Sequence, residues 1–163
     1  MWFARFPSVL VSEWVRSKRG IVWVAEDGSE ACAYLPSPPA PVVAEVVLVR
    51  LEQTLALAGE SHERDAAWHY VVATDVSPAQ EADFNAWYDK EHLRGLAAVP
   101  GVARATRYRV VEGGGPVYHA GYDLADRAAF NSPPWLAVRE TAWSSRVRPA
   151  FINTRRTMYR RFA

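Results

Sequence analysis

Hydrophobic and polar positions alternate in short runs along most of the chain, and only a few stretches show a helical period. Residues 8–18 read as a helix, because Val9, Leu10, Val11, Trp14 and Val15 form a partly apolar stripe. Residues 21–25 and 31–35 are two short apolar strands. Asp27-Gly28 between them supplies the positive-φ chemistry of a hairpin turn. Residues 35–41 contain four prolines and predict a stiff loop. The β-branched run at 42–51 predicts a buried strand, and the polar stretch 53–67, with Gly59, predicts a connector.

A regular series follows. Residues 68–75 form a strand, 78–98 a helix, and 102–111 a strand. Gly113-Gly114-Gly115 makes a turn into a strand at 117–124. Residues 126–147 form a second helical region broken by Pro133-Pro134, and 152–162 close with a strand. This order predicts an α+β fold: a ferredoxin-like βαββαβ unit over 68–162, with 68–75 and 117–124 central in one antiparallel sheet. Residues 1–60 are a β-rich extension, or a degenerate second unit that has lost its first strand and second helix.

Helices on one face leave the other face of such a sheet bare. Strands 68–75 and 117–124 carry apolar residues at both parities, so that face needs a cover. A second subunit can supply it by two-fold symmetry, or the strands of residues 1–60 can fold over it.

The helix at 78–98 carries the most informative pattern. Ser77, Pro78 and Gln80 mark its start as a capping box, and Val99-Pro100-Gly101 its end. Phe84, Tyr88, His92 and Leu96 recur at every fourth position, with Asn85 beside the row and Trp87 and Glu91 on its other edge. An Asn, a Tyr and a His on a buried strip are costly unless hydrogen-bonded. Backbone or water can satisfy them. Alternatively they serve a site in which His92 is general acid or base and Tyr88 and Asn85 position it or hold an oxyanion.

Composition narrows the function classes. With half the residues hydrophobic and 23% charged, the chain has ample core and does not resemble a disordered tail. A net charge of +1 offers no field to draw nucleic acid or an anionic membrane surface. Arg155, Arg156, Arg160 and Arg161 make only a local basic strand, which reads as a charged sheet edge. The lone Cys32 reads as a buried small hydrophobe. The first twenty residues lack the uninterrupted apolar core of a secretion signal, and no apolar run nears the ~20 residues of a membrane span. The expectation is a cytoplasmic protein.

The run Phe84-Asn85-x-Trp87-Tyr88-x-x-Glu91-His92-Leu93, then Val99-Pro100-Gly101, then Arg107-Tyr108, resembles the ethyl-tert-butyl-ether-degradation (EthD)-like group of dimeric α/β-barrel proteins. That group is related to small polyketide cyclases, dehydratases and cofactor-free monooxygenases. The resemblance covers residues 68–162. It implies a ferredoxin-like unit whose sheet pairs with a second sheet to close a barrel, with a ligand cavity near the helix histidine. Members often carry proline shortly after that histidine, where this chain has Arg94, and residues 1–60 have no counterpart in single-unit members.

Other residues extend the candidate site. Arg107 is a natural anion partner or a solvent-facing strand residue. Tyr108, Tyr118 and Tyr122 offer phenolic donors or pack across strands, and Trp135 and Trp143 suit a cavity lid. His69 and His119 lie on neighbouring strands, but no third ligand at metal-binding spacing accompanies them. No cofactor is expected, although related barrels that bind haem through a histidine keep that option open. Two readings remain. One is an enzyme acting by acid–base chemistry on a planar, carbonyl-bearing small molecule, by cyclisation, dehydration or isomerisation. The other is a non-catalytic ligand-binding or oligomerisation module.

Overall fold

The computed structural model describes residues 1–12, 14, 20–39 and 45–162. Eight strands close one barrel: β1 (Trp2–Pro7), β2 (Val22–Ala25), β3 (Glu30–Leu35), β4 (Val47–Ala58), β5 (Trp68–Val76), β6 (Val102–Glu112), β7 (Tyr118–Leu124) and β8 (Phe151–Arg161). Around the barrel they run β1-β3-β2-β8-β5-β7-β6-β4, and every pairing is antiparallel. The described residues thus form a mixed α+β fold in which a single chain closes the barrel. β5 and β7 lie at the centre of the second half, and β6 pairs with β7 on the far side of the triple glycine.

Four helical segments lie outside this half: α1 (Glu81–Trp87), a π turn (Tyr88–His92) leading into α2 (Leu93–Ala97), α3 (Pro133–Arg139) and α4 (Ala142–Val147). Strand alternation sends Tyr70, Val72, Tyr118, Ala120 and Tyr122 toward the helices, where they join Phe84, Trp87, Tyr88 and Leu96 in one core. The opposite parity, with Val71 and Tyr108, turns into the lumen to meet Phe3, Trp23, Val49 and Tyr159. A third cluster, including Phe6, Trp14 and Leu35, covers the outside of the first half, where Phe6 and Trp14 stack with centroids 4.2 Å apart.

Several sequence expectations need correction. Nothing was expected before residue 8, yet Trp2–Pro7 is a strand paired with β3 and β4. Both of its faces carry buried apolar residues, Phe3 toward the lumen and Ala4 and Phe6 outside, so no alternation marks it. The expected helix at 8–18 shows a 3-10 turn at Ser8–Leu10 and helical residues at 11, 12 and 14; the others of that stretch lie outside the described residues. The strand expected at 42–51 is β4, shifted to Val47–Ala58, with residues 42–44 outside the described residues. It runs through half of the expected connector to pair with β6. Gly59 then lets the chain turn away: a Cβ there would stand 2.1 Å from the Val102 carbonyl oxygen.

The helix expected from residue 78 starts at Glu81. Ser77 bonds the Gln80 side chain instead of capping the helix. Pro133-Pro134 begins α3 behind the Ser132 cap instead of breaking a helix. β8 is not an edge strand: it pairs with β5 along its length and with β2 through Tyr159–Arg161. Among the described residues no helix is long and apolar enough to cross a membrane.

Candidate functional site

The π turn determines what the helix presents to the sheet. An i→i+5 turn places residues five apart one above the other. Trp87 and His92 accordingly stack, with ring centroids 4.0 Å apart and planes 20° apart. Trp87 is held by its indole N–H, which donates to Ser144 Oγ at 3.2 Å, and Ser144 in turn donates to the Val138 carbonyl. Tyr88 meets the other edge of the imidazole at 5.3 Å.

His92 is 8% exposed and faces a cavity between sheet and helices, lined also by Tyr70, Tyr88, Tyr122, Trp135 and Phe151. The cavity has about 40 Å³ of space that water can occupy, and about 400 Å³ once its open mouth is included. Among the described residues no hydrogen bond forms at the buried His92 Nδ1, and the buried Tyr122 hydroxyl interacts with the Tyr88 hydroxyl without a regular hydrogen bond. Buried polar atoms without regular partners are rare and costly, so His92 Nδ1 and the Tyr122 hydroxyl in one cavity mark it as a candidate ligand site. Three arginines stand at the mouth: Arg139 at the end of α3, Arg148 after α4, and Arg156 on β8. None of them pairs with a carboxylate among the described residues.

Burial, with help from the Arg139 and Arg148 charges, holds the His92 pKa down at about 3, so the imidazole is neutral near pH 7. Burial also raises Tyr88 to about 12, and Tyr122 well above its usual range, so both phenols stay protonated. Arg148 is lowered by desolvation and by its two arginine neighbours. The arrangement therefore offers a neutral acceptor, two phenolic donors and an uncompensated positive rim.

The sequence-derived residues divide among different places. His92, Tyr88, Trp87 and Trp135 share the cavity. Asn85 does not line it. Its Oδ1 accepts from Arg107 at 2.5 Å, and its Nδ2 donates to the Tyr118 hydroxyl at 3.4 Å. Tyr118 also donates to Glu81. Arg107 is 3% exposed rather than solvent-facing. It lies over the Tyr88 ring at 4.5 Å and reaches Asp89 at 3.2 Å, so this knot sits behind Tyr88 and fixes it.

Glu91 accepts from Thr141 Oγ1 at 2.6 Å, and Trp143 donates to Asp83 at 2.9 Å; both tie α4 to the helix below rather than touch the cavity. Tyr108 points into the barrel lumen. His69 and His119 share the lumen side, but His69 is level with Asp123 while His119 is level with Ala73, so they are four residues apart along paired strands. Among the described residues no group of three metal-ligating side chains is assembled. The sequence reading did not name Tyr70, Arg139 or Arg148, which come from other elements and share no spacing with His92.

No family model matches the chain, and no curated protein matches it in sequence. Solved structures do match its fold over almost the whole length. An anthrone oxidase-like protein superposes with a TM-score of 0.67 at 14% identity, covering 99% of this chain and 90% of that one. A ferredoxin-fold protein related to antibiotic biosynthesis monooxygenases, from Listeria monocytogenes, gives 0.64 at 10% identity, with 100% and 95% covered. A heme-degrading enzyme from the same organism gives 0.59 at 9%, with 98% and 99% covered. At such identities the likeness concerns architecture alone: the chain shares a ferredoxin-type fold with these proteins.

Proposed function

We propose that this protein binds a planar, carbonyl-bearing small molecule at the sheet–helix cavity and acts on it by proton transfer through His92. The observation that carries the reading is the pair of buried polar atoms, His92 Nδ1 and the Tyr122 hydroxyl, that make no regular hydrogen bond in one cavity. The enclosed space suits a single functional group, such as a carbonyl or hydroxyl, while the ligand's body rests at the open mouth. Arg139, Arg148 and Arg156 there favour a ligand that carries negative charge. Burial is the main cause of the low His92 pKa, and a negative charge on the ligand offsets the smaller contributions of Arg139 and Arg148. A proton removed next to the carbonyl would pass to His92, and the enolate oxygen would accept from Tyr122 and Tyr88.

Cyclisation, dehydration and isomerisation all begin with that step. The neighbours named as an oxidase-like protein, as monooxygenase-related and as heme-degrading make oxygenation of such an electron-rich enolate a neighbouring possibility. A haem itself does not fit beside His92, because a macrocycle is far larger than the enclosed space.

The non-catalytic reading has its own support. Among the described residues His92 has no carboxylate partner, and Glu91 is engaged by Thr141 instead. Titration with salicylate, a planar anion bearing a carbonyl and a hydroxyl, tests the binding. Saturable displacement of the His92 imidazole signals supports the cavity as a ligand site, and unchanged signals at saturating probe reject it.

The same reading takes residues 68–162 as an EthD-like βαββαβ domain and residues 1–60 as a worn second unit. Its support is strand order: β8-β5-β7-β6 and β4-β1-β3-β2 each follow the sequence fourth, first, third, second. An intrachain pseudo-dimer of this kind does in one polypeptide what a homodimer would do with two.

A further inference from the structure

Two cavities open in the barrel lumen, a small one of about 60 Å³ beside Phe3 and His119 and a larger one at the other mouth. The larger, of about 280 Å³, is lined in part by Trp23, Tyr34, His69, Tyr108, Gln53 and Arg104. It is separate from the site above, because β5 and β7 present His69 and Asp123 to the lumen but Tyr70 and Tyr122 to the helices.

Three polar groups are linked at its wall. The register sets His69 of β5 opposite Asp123 of β7, and Asp123 Oδ1 lies 2.7 Å from His69 Nδ1. The other ring nitrogen, Nε2, lies 2.9 Å from the hydroxyl of Tyr34, which comes from β3 in the other half of the barrel. A carboxylate only accepts, so Nδ1 carries the proton, and in the neutral imidazole Nε2 accepts from Tyr34. The imidazole also stacks on Trp23 at 5.1 Å, and Tyr34 stacks on Tyr108 at 5.9 Å. Gly121 keeps this group together: a Cβ there would stand 3.0 Å from His69 Cε1 and 3.5 Å from the Tyr34 oxygen.

Both His69 nitrogens are bonded, but not inside solid core. Here the chain of bonds ends on a phenol at a cavity walled by flat aromatic faces, with Arg104 and Asp123 giving the lining one charge of each sign. The Tyr34 hydroxyl donates to His69, so its lone pairs are free to accept.

We propose that this mouth is a second small-molecule site, which takes a planar hydroxyaromatic or enolic ligand and draws the proton from its hydroxyl. The ligand O–H bond breaks as its proton passes to the Tyr34 oxygen. Tyr34 releases its own proton to His69 Nε2, and Asp123 holds the resulting imidazolium. The ligand keeps the electron pair as an oxyanion, stacked against Trp23 or Tyr108.

Para-nitrophenol is a suitable probe, because its phenolate absorbs visible light and its ring is planar. The full-length protein is titrated with it while phenolate absorbance and the histidine ring signals are followed, with His69 assigned through His69→Gln. The proposal expects saturable binding, displaced His69 signals and a larger phenolate fraction in the bound probe. Tyr34→Phe, which keeps the aromatic stacking, should weaken binding about tenfold or more and abolish the extra phenolate. The proposal is overturned by any of three results: no saturable binding, signal changes confined to His92, or a folded Tyr34→Phe variant that binds and ionises the probe as the parent does. Should Tyr34→Phe not fold, the His69 signals of the parent protein decide alone.

Discussion

Trp87 and His92 lie face to face, with ring centroids 4.0 Å apart, although five residues separate them. In a regular α-helix residues five apart point in different directions, since the turn is 3.6 residues. The π turn at Tyr88–His92 brings them into register, and π turns recur at functional positions. The turn also commits His92 to a place where it gains stacking but no hydrogen bond.

That lack should be visible in stability. His92→Phe keeps a flat ring against Trp87 and removes a buried, unpartnered Nδ1. The variant should be as stable as the parent or more stable, by about 1 kcal/mol, since an unsatisfied buried polar group costs about that much or more. Salicylate binding should be lost at the same time. Urea unfolding and probe titration measure the two effects. A strongly destabilised variant would show that the imidazole is structural and that its nitrogens are satisfied in solution.

The pH dependence follows with a definite sign. His92 titrates at 6.5 when exposed and at about 3 when folded. Between these values the unfolded chain binds a proton that the folded chain does not, so stability falls as the pH is lowered through that window. Above about 6.5 the term is fully present and flat. His119, lowered to about 4 mainly by burial, adds a second term of the same sign. The difference between parent and His92→Phe isolates the first. Their stability curves should diverge as the pH falls from near 6.5 toward 3, because the parent loses stability that the variant keeps, and curves that stay parallel would remove the buried neutral histidine from the account.

Part of this site was legible from sequence, for physical reasons that differ residue by residue. Phe84, Tyr88, His92 and Leu96 repeat at helical spacing, so the buried strip could be read directly. The π turn has no such local signal, because it depends on packing that makes one extra residue per turn affordable. Asn85 and His92 were read as one site from their shared face, yet the chain gives Asn85 to Arg107 and Tyr118. The cavity's other walls come from β5, β7, β8, α3 and the turn after α4, and only closure of the barrel brings them together. Tyr34 and His69 illustrate the same limit, since they belong to opposite halves of the chain and meet across the lumen. The order of strands after residue 68 was legible because turns and apolar runs alternate cleanly there. β1 was not, because both of its faces are buried.

The arginine rim gives a separate prediction. Arg148 is held below its usual range by desolvation and by Arg139 and Arg156. Replacing Arg156 by Gln should therefore leave stability unchanged or raise it by a few tenths of a kcal/mol, since it relieves repulsion between partly exposed charges. Salicylate affinity should fall severalfold, and the loss should shrink with added salt because the attraction is screened. Affinity that does not respond to Arg156→Gln or to salt would mean that the mouth does not recognise negative charge.

The closing prediction concerns the joint between the barrel halves. At Gly59 the chain leaves β4 and passes against the start of β6, where the Gly59 amide donates to the Ala103 carbonyl at 2.9 Å. A Cβ at this position would stand 2.1 Å from the Val102 oxygen and 2.7 Å from its carbonyl carbon, and backbone cannot yield as a side chain does. Gly59→Ala must then separate β4 from β6 at this end or shift the chain at Val102. Val102 is fully buried under the helices, so either movement opens packed core. The expected cost is about 3 kcal/mol or more, at the upper end of single-substitution effects. Gly114→Ala serves as the control, because its added Cβ meets nothing within 4 Å. Urea unfolding of the two variants provides the comparison. Equal stability would mean that β4 does not run against β6 as far as Ala58, and the closure of the barrel at that seam would have to be redrawn.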